Sequence, residues 1–192
     1  EQTVNRALYV TSTGAGTSPE ATLQAPAEIE FRWSDGQMAV TKRLKFTESY
    51  VVEVQSSVQK DGQPVAHRLA WRGGFGDLAL PSAERFASAF TGAAGGISVK
   101  APGSLGVKGQ TSTPADLAGA FDVVGLQDHY FTAAFVPPDQ GAGQPVPAIM
   151  TLSGWQLARL TQVDGKPQQE VLPEIAAGTT TIGPLDLRVF VG

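Results

Sequence analysis

At 192 residues the chain can bury a sizeable core, and 42% apolar with 17% charged residues argues against a disordered segment. A formal charge of −4, with 14 scattered Lys and Arg, leaves no basic stripe to neutralise phosphates and sets nucleic acid aside as a partner. Cysteine is absent, which removes disulfides, thiol catalysis and thiolate metal sites together, and no apolar run approaches the roughly 20 residues of a membrane span.

The chain opens Glu1-Gln2-Thr3, without Met and without a charged-then-apolar leader, as a processed or excised chain would. Its 22 Gly and 13 Pro punctuate the sequence at the spacing of short strands and turns. From Ala27 the pattern is clear: Ile29, Phe31 and Trp33 alternate with Glu28, Glu30 and Arg32, a period of two. Ser34-Asp35-Gly36 supplies a turn, and Met38, Val40, Leu44 and Phe46 resume the pattern against Thr41, Arg43 and Lys45. Lys42 falls on the apolar side, which predicts a bulge or an edge there. Tyr50, Val52, Val54 and Val58 form a third run, closed by Lys60-Asp61-Gly62-Gln63, and Val65, Leu69 and Trp71 a fourth. Four strands with such short connections make an antiparallel meander, not a parallel sheet.

Arg72-Gly73-Gly74-Phe75-Gly76-Asp77 reads as a glycine-rich loop. Ser82 to Thr91 fits two forms: a short helix capped by Ser82, with Phe86 and Phe90 at i, i+4, or a strand with both rings on one face. Residues 92–120 read as loops and short edge strands, with Thr113-Pro114 starting a single helical turn. After Phe121, the run Tyr130 to Val136 is almost continuously apolar, as in a central strand covered on both faces. Ala148 to Leu152 and Trp155 to Leu160 read as two short strands around Ser153-Gly154. Val163 to Lys166 is a turn, and Leu185 to Val191 a terminal strand. With no internal repeat and no linker, residues 1–192 are expected to form one all-β domain with at most short helices.

Three blocks in order carry a resemblance. Phe31-Arg32-Trp33-Ser34-Asp35-Gly36 with Val40 to Phe46 and Tyr50 to Val54 is the first; Gly125-Leu126-Gln127-Asp128-His129-Tyr130-Phe131 to Pro137 is the second; Leu187 to Gly192 is the third. Together they resemble the periplasmic domain of YidC-type bacterial membrane protein insertases. The resemblance implies a twisted, extended antiparallel β-sandwich (a "supersandwich", mutarotase-like in shape) at the periplasmic face of the inner membrane. It also implies a non-catalytic interaction or structural domain, monomeric as a fragment, that supports insertion and folding of inner-membrane proteins. Its implied partners are Sec translocon accessory proteins (SecDF) and substrate membrane proteins. By the same comparison, the first transmembrane helix and the earliest strands would be absent here. An amphipathic helix and the helical insertase core would follow Gly192, so a stop codon or a second soluble domain there would overturn the assignment.

Candidate chemistry is sparse. His67 lies among Val65, Leu69 and Trp71, where it could be a general base or sugar contact, or a hydrogen-bonded histidine at a sheet margin. His129 follows Asp128, but strand neighbours point to opposite faces, so they form no ready dyad. Folding could still bring either histidine to Asp77 or Asp122. Neither histidine has a partner at metal-ligand spacing. Gly73-Gly74-Phe75-Gly76 lacks the Lys and following helix of a phosphate loop, and Ser153 lacks a nucleophile elbow. Phe31, Trp33, Trp71, Tyr130, Phe131 and Phe135 are expected in the core. The sequence therefore points to no catalytic residue, no metal and no cofactor, and selects no binding residues beyond a sheet face or edge. The rival readings are a mutarotase-like carbohydrate enzyme, which needs His67 beside a carboxylate, and a secreted glycan- or protein-binding sandwich module.

Overall fold

The computed structural model describes residues 2–11, 22–72, 75, 86–108, 110, 112–138, 149, 151–163 and 165–192. Asp77 and most of the glycine-rich loop lie outside them. Strands dominate; the described helices are α1 (Gln2–Arg6) and a 3-10 turn at Pro102–Ser104. The fold is all-β, as the period-two pattern requires.

Two antiparallel sheets form it. The larger runs, in spatial order, through β1 (Val10–Thr11), β2 (Ala27–Ser34), β3 (Met38–Phe46), β4 (Val51–Lys60), β14 (Leu185–Val191), β11 (Thr132–Val136), β10 (Val123–Gln127), β7 (Ser88–Ala93) and β8 (Gly96–Lys100). The stub β5 (Gln63–Pro64) pairs with the end of β4. The smaller sheet orders β6 (Leu69–Trp71), β13 (Lys166–Gly178), β12 (Thr151–Val163) and β9 (Ala115–Leu117). The inner face of β7, β10, β11 and β14, with Val54 of β4, packs on Leu152, Ile175 and Ala177 of the smaller sheet. Val124, Leu126, Ile149 and Ala177 are fully enclosed there. Each large apolar side chain so buried contributes about 1.5–3 kcal/mol.

Local chemistry explains the meander. Asp35 Oδ1 accepts the backbone N–H groups of Met38 at 2.7 Å and Gln37 at 3.0 Å, and Gly36 takes a φ of +92°. Those N–H groups, Met38's first, hold the Asp35 carboxyl below its ordinary pKa.

Several expectations need correction. The meander has three strands and a stub, not four strands. Val65 N still bonds Val58 O at 3.0 Å, but Leu69–Trp71 crosses to the smaller sheet and pairs with Ile175–Ala177, packing Leu69 and Trp71 against the core. Lys42 marks neither bulge nor edge. Phe31, Lys42 and Ser56 stand in unbroken register across β2, β3 and β4. The ammonium lies 5.0 Å from the centre of the Tyr9 ring, so an inward cation is accommodated without breaking the ladder. Half-burial lowers its pKa.

Thr113-Pro114 starts no helical turn but leads into β9. Phe90 sits in β7 and Phe86 just before it at a φ of +49°, so no helix runs from Phe86 to Phe90; residues 82–85 are outside the described set. Ser153-Gly154 does not divide two strands, because β12 is continuous. The glycine is needed for packing: a Cβ there would meet Leu105 Cδ2 at 2.9 Å. The expected central strand is β11, between β10 and β14, with Ala133, Ala134 and Phe135 buried in succession. Tyr130 and Phe131, however, belong to the β10–β11 turn and are 73% and 53% exposed, not core. Phe31, Trp33 and Trp71 are half-buried, and Phe135 is enclosed.

Candidate functional site

The period-two pattern gives β2, β3 and β4 a second, polar face, and register turns that face into rows. Glu28, Lys45, Glu53 and Arg188 stand opposite one another across β2, β3, β4 and β14. The next row is Glu30, Arg43, Gln55 and Asp186. Sign alternates along the first row, the arrangement that favours correct cross-strand pairing.

The side chains close most of these pairs. Lys45 Nζ lies 2.9 Å from Glu53 Oε2, and Gln55 Nε2 donates to Asp186 Oδ1 at 2.8 Å. Arg43 bridges Glu30 at 2.9 Å and Glu28 at 3.1 Å, and Arg32 Nε reaches Glu30 at 2.5 Å. The hydrogen bond from Arg43, then that from Arg32, holds the Glu30 carboxyl below its ordinary pKa against the opposing effect of desolvation. Arg188 Nε donates to the Pro137 carbonyl at 3.0 Å. Four carboxylates (Glu28, Glu30, Glu53, Asp186) meet four cations (Arg32, Arg43, Lys45, Arg188), so the face sums to zero charge. A groove of about 500 Å³ runs over it, lined by Glu28, Arg43, Lys45, Glu53, Asp186 and Arg188 with Pro138 at its margin. A smaller hollow of about 140 Å³ beside it shares Arg43 and Gln55 and reaches Glu30, Thr41 and Pro184.

The residues singled out for chemistry lie elsewhere. His67 Nε2 is 2.8 Å from Ser56 Oγ, and Nδ1 is 3.2 Å from the Val65 carbonyl. A carbonyl only accepts, so Nδ1 donates, and in the neutral ring Nε2 accepts the Ser56 proton. This is the hydrogen-bonded histidine at a sheet margin, with a hydroxyl and a carbonyl as its described partners and no carboxylate. His129 is exposed and stacks on Phe86, centroids 4.4 Å apart. Its neighbour Asp128 turns its carboxylate to the Tyr130 and Phe131 N–H groups, both at 2.7 Å. Asp122 accepts from Ala94 N at 3.1 Å and braces the β7–β8 turn. Ser153 Oγ donates to Asp116 Oδ1 at 2.6 Å, and Arg68 holds the same carboxylate with two bonds, at 2.7 and 3.2 Å. The Ser153 bond, then Arg68, lowers the Asp116 pKa. Ser153 thus faces a carboxylate that its pairing with Arg68 makes a weaker base. Among the described residues no group of three or more His, Asp and Glu is placed to hold a metal ion.

The family model for the YidC periplasmic domain matches residues 2–192. The chain belongs to that family. A search of curated proteins found no match. Membership places the chain in the context of a membrane insertase, on the periplasmic side of a membrane protein. No helix among the described residues is long and apolar enough to cross a membrane.

Sequence reading placed Glu28, Glu30 and Arg32, and separately Arg43 and Lys45, opposite the apolar positions of their own strands and gave them no joint role. The signal was the run of opposite charges in consecutive strands of a tight meander. Reading it further requires the register and the later strand β14, whose Asp186 and Arg188 arrive from more than 120 residues away.

Proposed function

We propose that the chain is a non-catalytic interaction domain of a YidC-type insertase, and that the self-neutral groove over β2, β3, β4 and β14 is its docking face for Sec accessory proteins such as SecDF. The observation that carries this reading is the balance of four acids and four bases across four strands, alternating in sign along the row Glu28, Lys45, Glu53 and Arg188. Such a face presents fixed complementary charges, which select a partner and its orientation more than they add raw affinity. Acid–base catalysis instead needs a tuned donor and acceptor within reach of one reacting atom. The groove carboxylates Glu28, Glu30 and Glu53 are engaged by cations, Asp186 accepts from Gln55, and the described partners of both histidines are elsewhere.

The test is site-specific photocrosslinking from Gln55 and Thr41 to the SecDF periplasmic region, with Gln168 as a distant control. Crosslinks from the groove positions that weaken on Lys45→Glu and return in Lys45→Glu/Glu53→Lys support the reading. Equal yield from Gln168, or none from the groove, overturns it. The enzymatic alternative has its own readout: polarimetry should show no α/β-hexose interconversion above the uncatalysed rate. An enhancement that disappears in His67→Ala or His129→Ala would replace the docking reading with a mutarotase one.

A further inference from the structure

Among the described residues four aromatic side chains are exposed: Tyr50 at 75%, Phe86 at 61%, Tyr130 at 73% and Phe131 at 53%. All four lie at the same end of the large sheet. The pair Gln127 and Thr132 closes the β10–β11 hairpin, so Tyr130 and Phe131 sit in its turn. Gln127 also stands opposite Ser88, which brings Phe86 alongside that turn, stacked on His129, whose ring meets Tyr130 edge-on at 6.2 Å. On the other side Gly192 exchanges two backbone hydrogen bonds with Thr132, and Val191 N donates to Tyr50 O at 3.0 Å. Tyr50 then leans on Phe190, centroids 6.5 Å apart. Five neighbouring strand ends (β7, β10, β11, β14 and β4) therefore carry one aromatic rim, continued by Val191 at 42% exposure.

Two features narrow what such a rim meets. It is amphipathic, with two phenols and an imidazole among its rings, rather than aliphatic as an unfilled piece of core would be. The charged groups in its turns are acidic, Glu48 and Asp128, and not basic. The turn residues Thr47 to Tyr50 and Asp128 to Phe131 include no Lys or Arg. The Asp128 carboxylate is engaged by the Tyr130 and Phe131 N–H groups of its own turn. Amphipathic rings without a basic patch match the headgroup layer of a bilayer, where Tyr and Trp are enriched and a ring lies in apolar surroundings while its polar edge stays wet.

We propose that this rim is a lipid-contacting edge: the end of the large sheet bearing Tyr50, Phe86, Tyr130 and Phe131 rests in the interfacial layer of the membrane. The proposal rests on family membership, which puts a bilayer beside the domain. It does not rest on the docking groove, which lies on the polar face of the strands rather than at their ends, so the two can fail separately. Without a basic patch the contact is apolar, so its strength should not depend on the anionic lipid fraction.

The cysteine-free chain allows a clean test, with an environment-sensitive fluorophore on one introduced cysteine. Glu48→Cys reports from the rim. Ile97→Cys, near the opposite end of the sheet, and Leu160→Cys, on the smaller sheet, are controls at exposed sites. With millimolar phosphatidylcholine vesicles, the label at position 48 should brighten about twofold and shift to the blue as it enters the interface. Labels at 97 and 160 should not change. Replacing a third of the lipid with phosphatidylglycerol should leave the response unaltered. Adding Tyr130→Ser and Phe131→Ser to Glu48→Cys should abolish the response while the chain keeps its β-type circular dichroism and a cooperative melt, since both side chains are more than half exposed. No response at position 48, or an equal response at all three sites, overturns the proposal. So does brightening with protein concentration in the absence of vesicles, which would make the rim a contact between copies of the chain.

Discussion

In β10 Val124, Gly125 and Leu126 are buried in succession, and in β11 so are Ala133, Ala134 and Phe135, whereas β2 alternates half-buried with more exposed positions along most of its length. The first pair of strands lies under the smaller sheet; β2 lies beyond it. Where the second layer is present, stability comes from dense packing on both faces, to the point that Gly125 is required: a Cβ there would come within 2.4 Å of the Ala133 carbonyl and 2.6 Å of the Phe90 ring. Where it is absent, one face stays polar, and cross-strand ion pairs hold the register that packing fixes elsewhere. The open half is therefore the half free to carry a groove.

The sharpest way to break that comparison is a matched pair of truncations. Leu126→Ala, at a fully enclosed site, should cost about 3–4 kcal/mol, and Ile29→Ala, on half-buried β2, about 1 kcal/mol. Urea denaturation midpoints for the two variants measure the difference. Equal losses would mean that the open half is packed as tightly as the covered one.

A second test sits inside the smaller sheet. Glu174 is 2% exposed, and its carboxylate accepts the Trp155 indole N–H across the β12–β13 pair, with Arg72 over the same indole at 5.7 Å. Glu174→Ala leaves a buried donor without its acceptor, so a loss of about 2–3 kcal/mol is expected in thermal or urea unfolding. A loss below about 0.5 kcal/mol would show that water reaches this pair.

This pair also shows where sequence reading stopped. The meander from Ala27 and the final strand were legible because one face is buried and the other wet, which writes a period of two into the residues. β13 was not legible. Both its faces are covered from Leu172 to Gly178, so alternation disappears, and Pro167 and Pro173 look like breakers. They are tolerated because, among the described residues, β6 pairs with β13 at Ile175–Ala177 and not at either proline. Tyr130 and Phe131 misled in the opposite way, extending an apolar run into a turn whose geometry is set by Asp128. The groove was half legible: its charges were visible in β2 and β3, but the rows need a strand distant in sequence.

In the open half, Glu30→Gln should destabilise less than either buried change, because Arg32 and Arg43 are 68% and 47% exposed and partly screened by water. Its signature is pH dependence. The carboxyl is held below its ordinary 4.5 in the folded chain, so its stabilisation is fully present above that value and lost as pH falls through the lower folded value. Wild type and Glu30→Gln should differ at pH 7 and converge in acid. Molar salt should narrow the gap at neutral pH. A gap that persists unchanged at pH 2 would remove the ion pair as the cause.

The smallest effect is expected at Lys42, a half-buried cation on the apolar side of the open half's strands. Its stem packs along that face, and its ammonium lies over Tyr9. Two contributions oppose one another: partial desolvation disfavours the charge, and the ring favours it by about 0.5–1 kcal/mol. Lys42→Met keeps the length of the stem and removes both, so stability at pH 7 should change by no more than about 0.5 kcal/mol, toward greater stability if desolvation is the larger. The sign follows from linkage. Burial lowers the Lys42 pKa below its ordinary 10.5, so the unfolded chain holds the proton to higher pH than the folded one. The penalty of the charge is therefore complete below the folded pKa and disappears as pH rises through it toward 10.5. Any advantage of Lys42→Met should shrink over that alkaline window, which urea midpoints at pH 7 and pH 10 would follow. A loss of more than about 1 kcal/mol would instead show that the cation holds Tyr9 and β1 against the sheet, making the ring contact a structural tie for the edge of the open half.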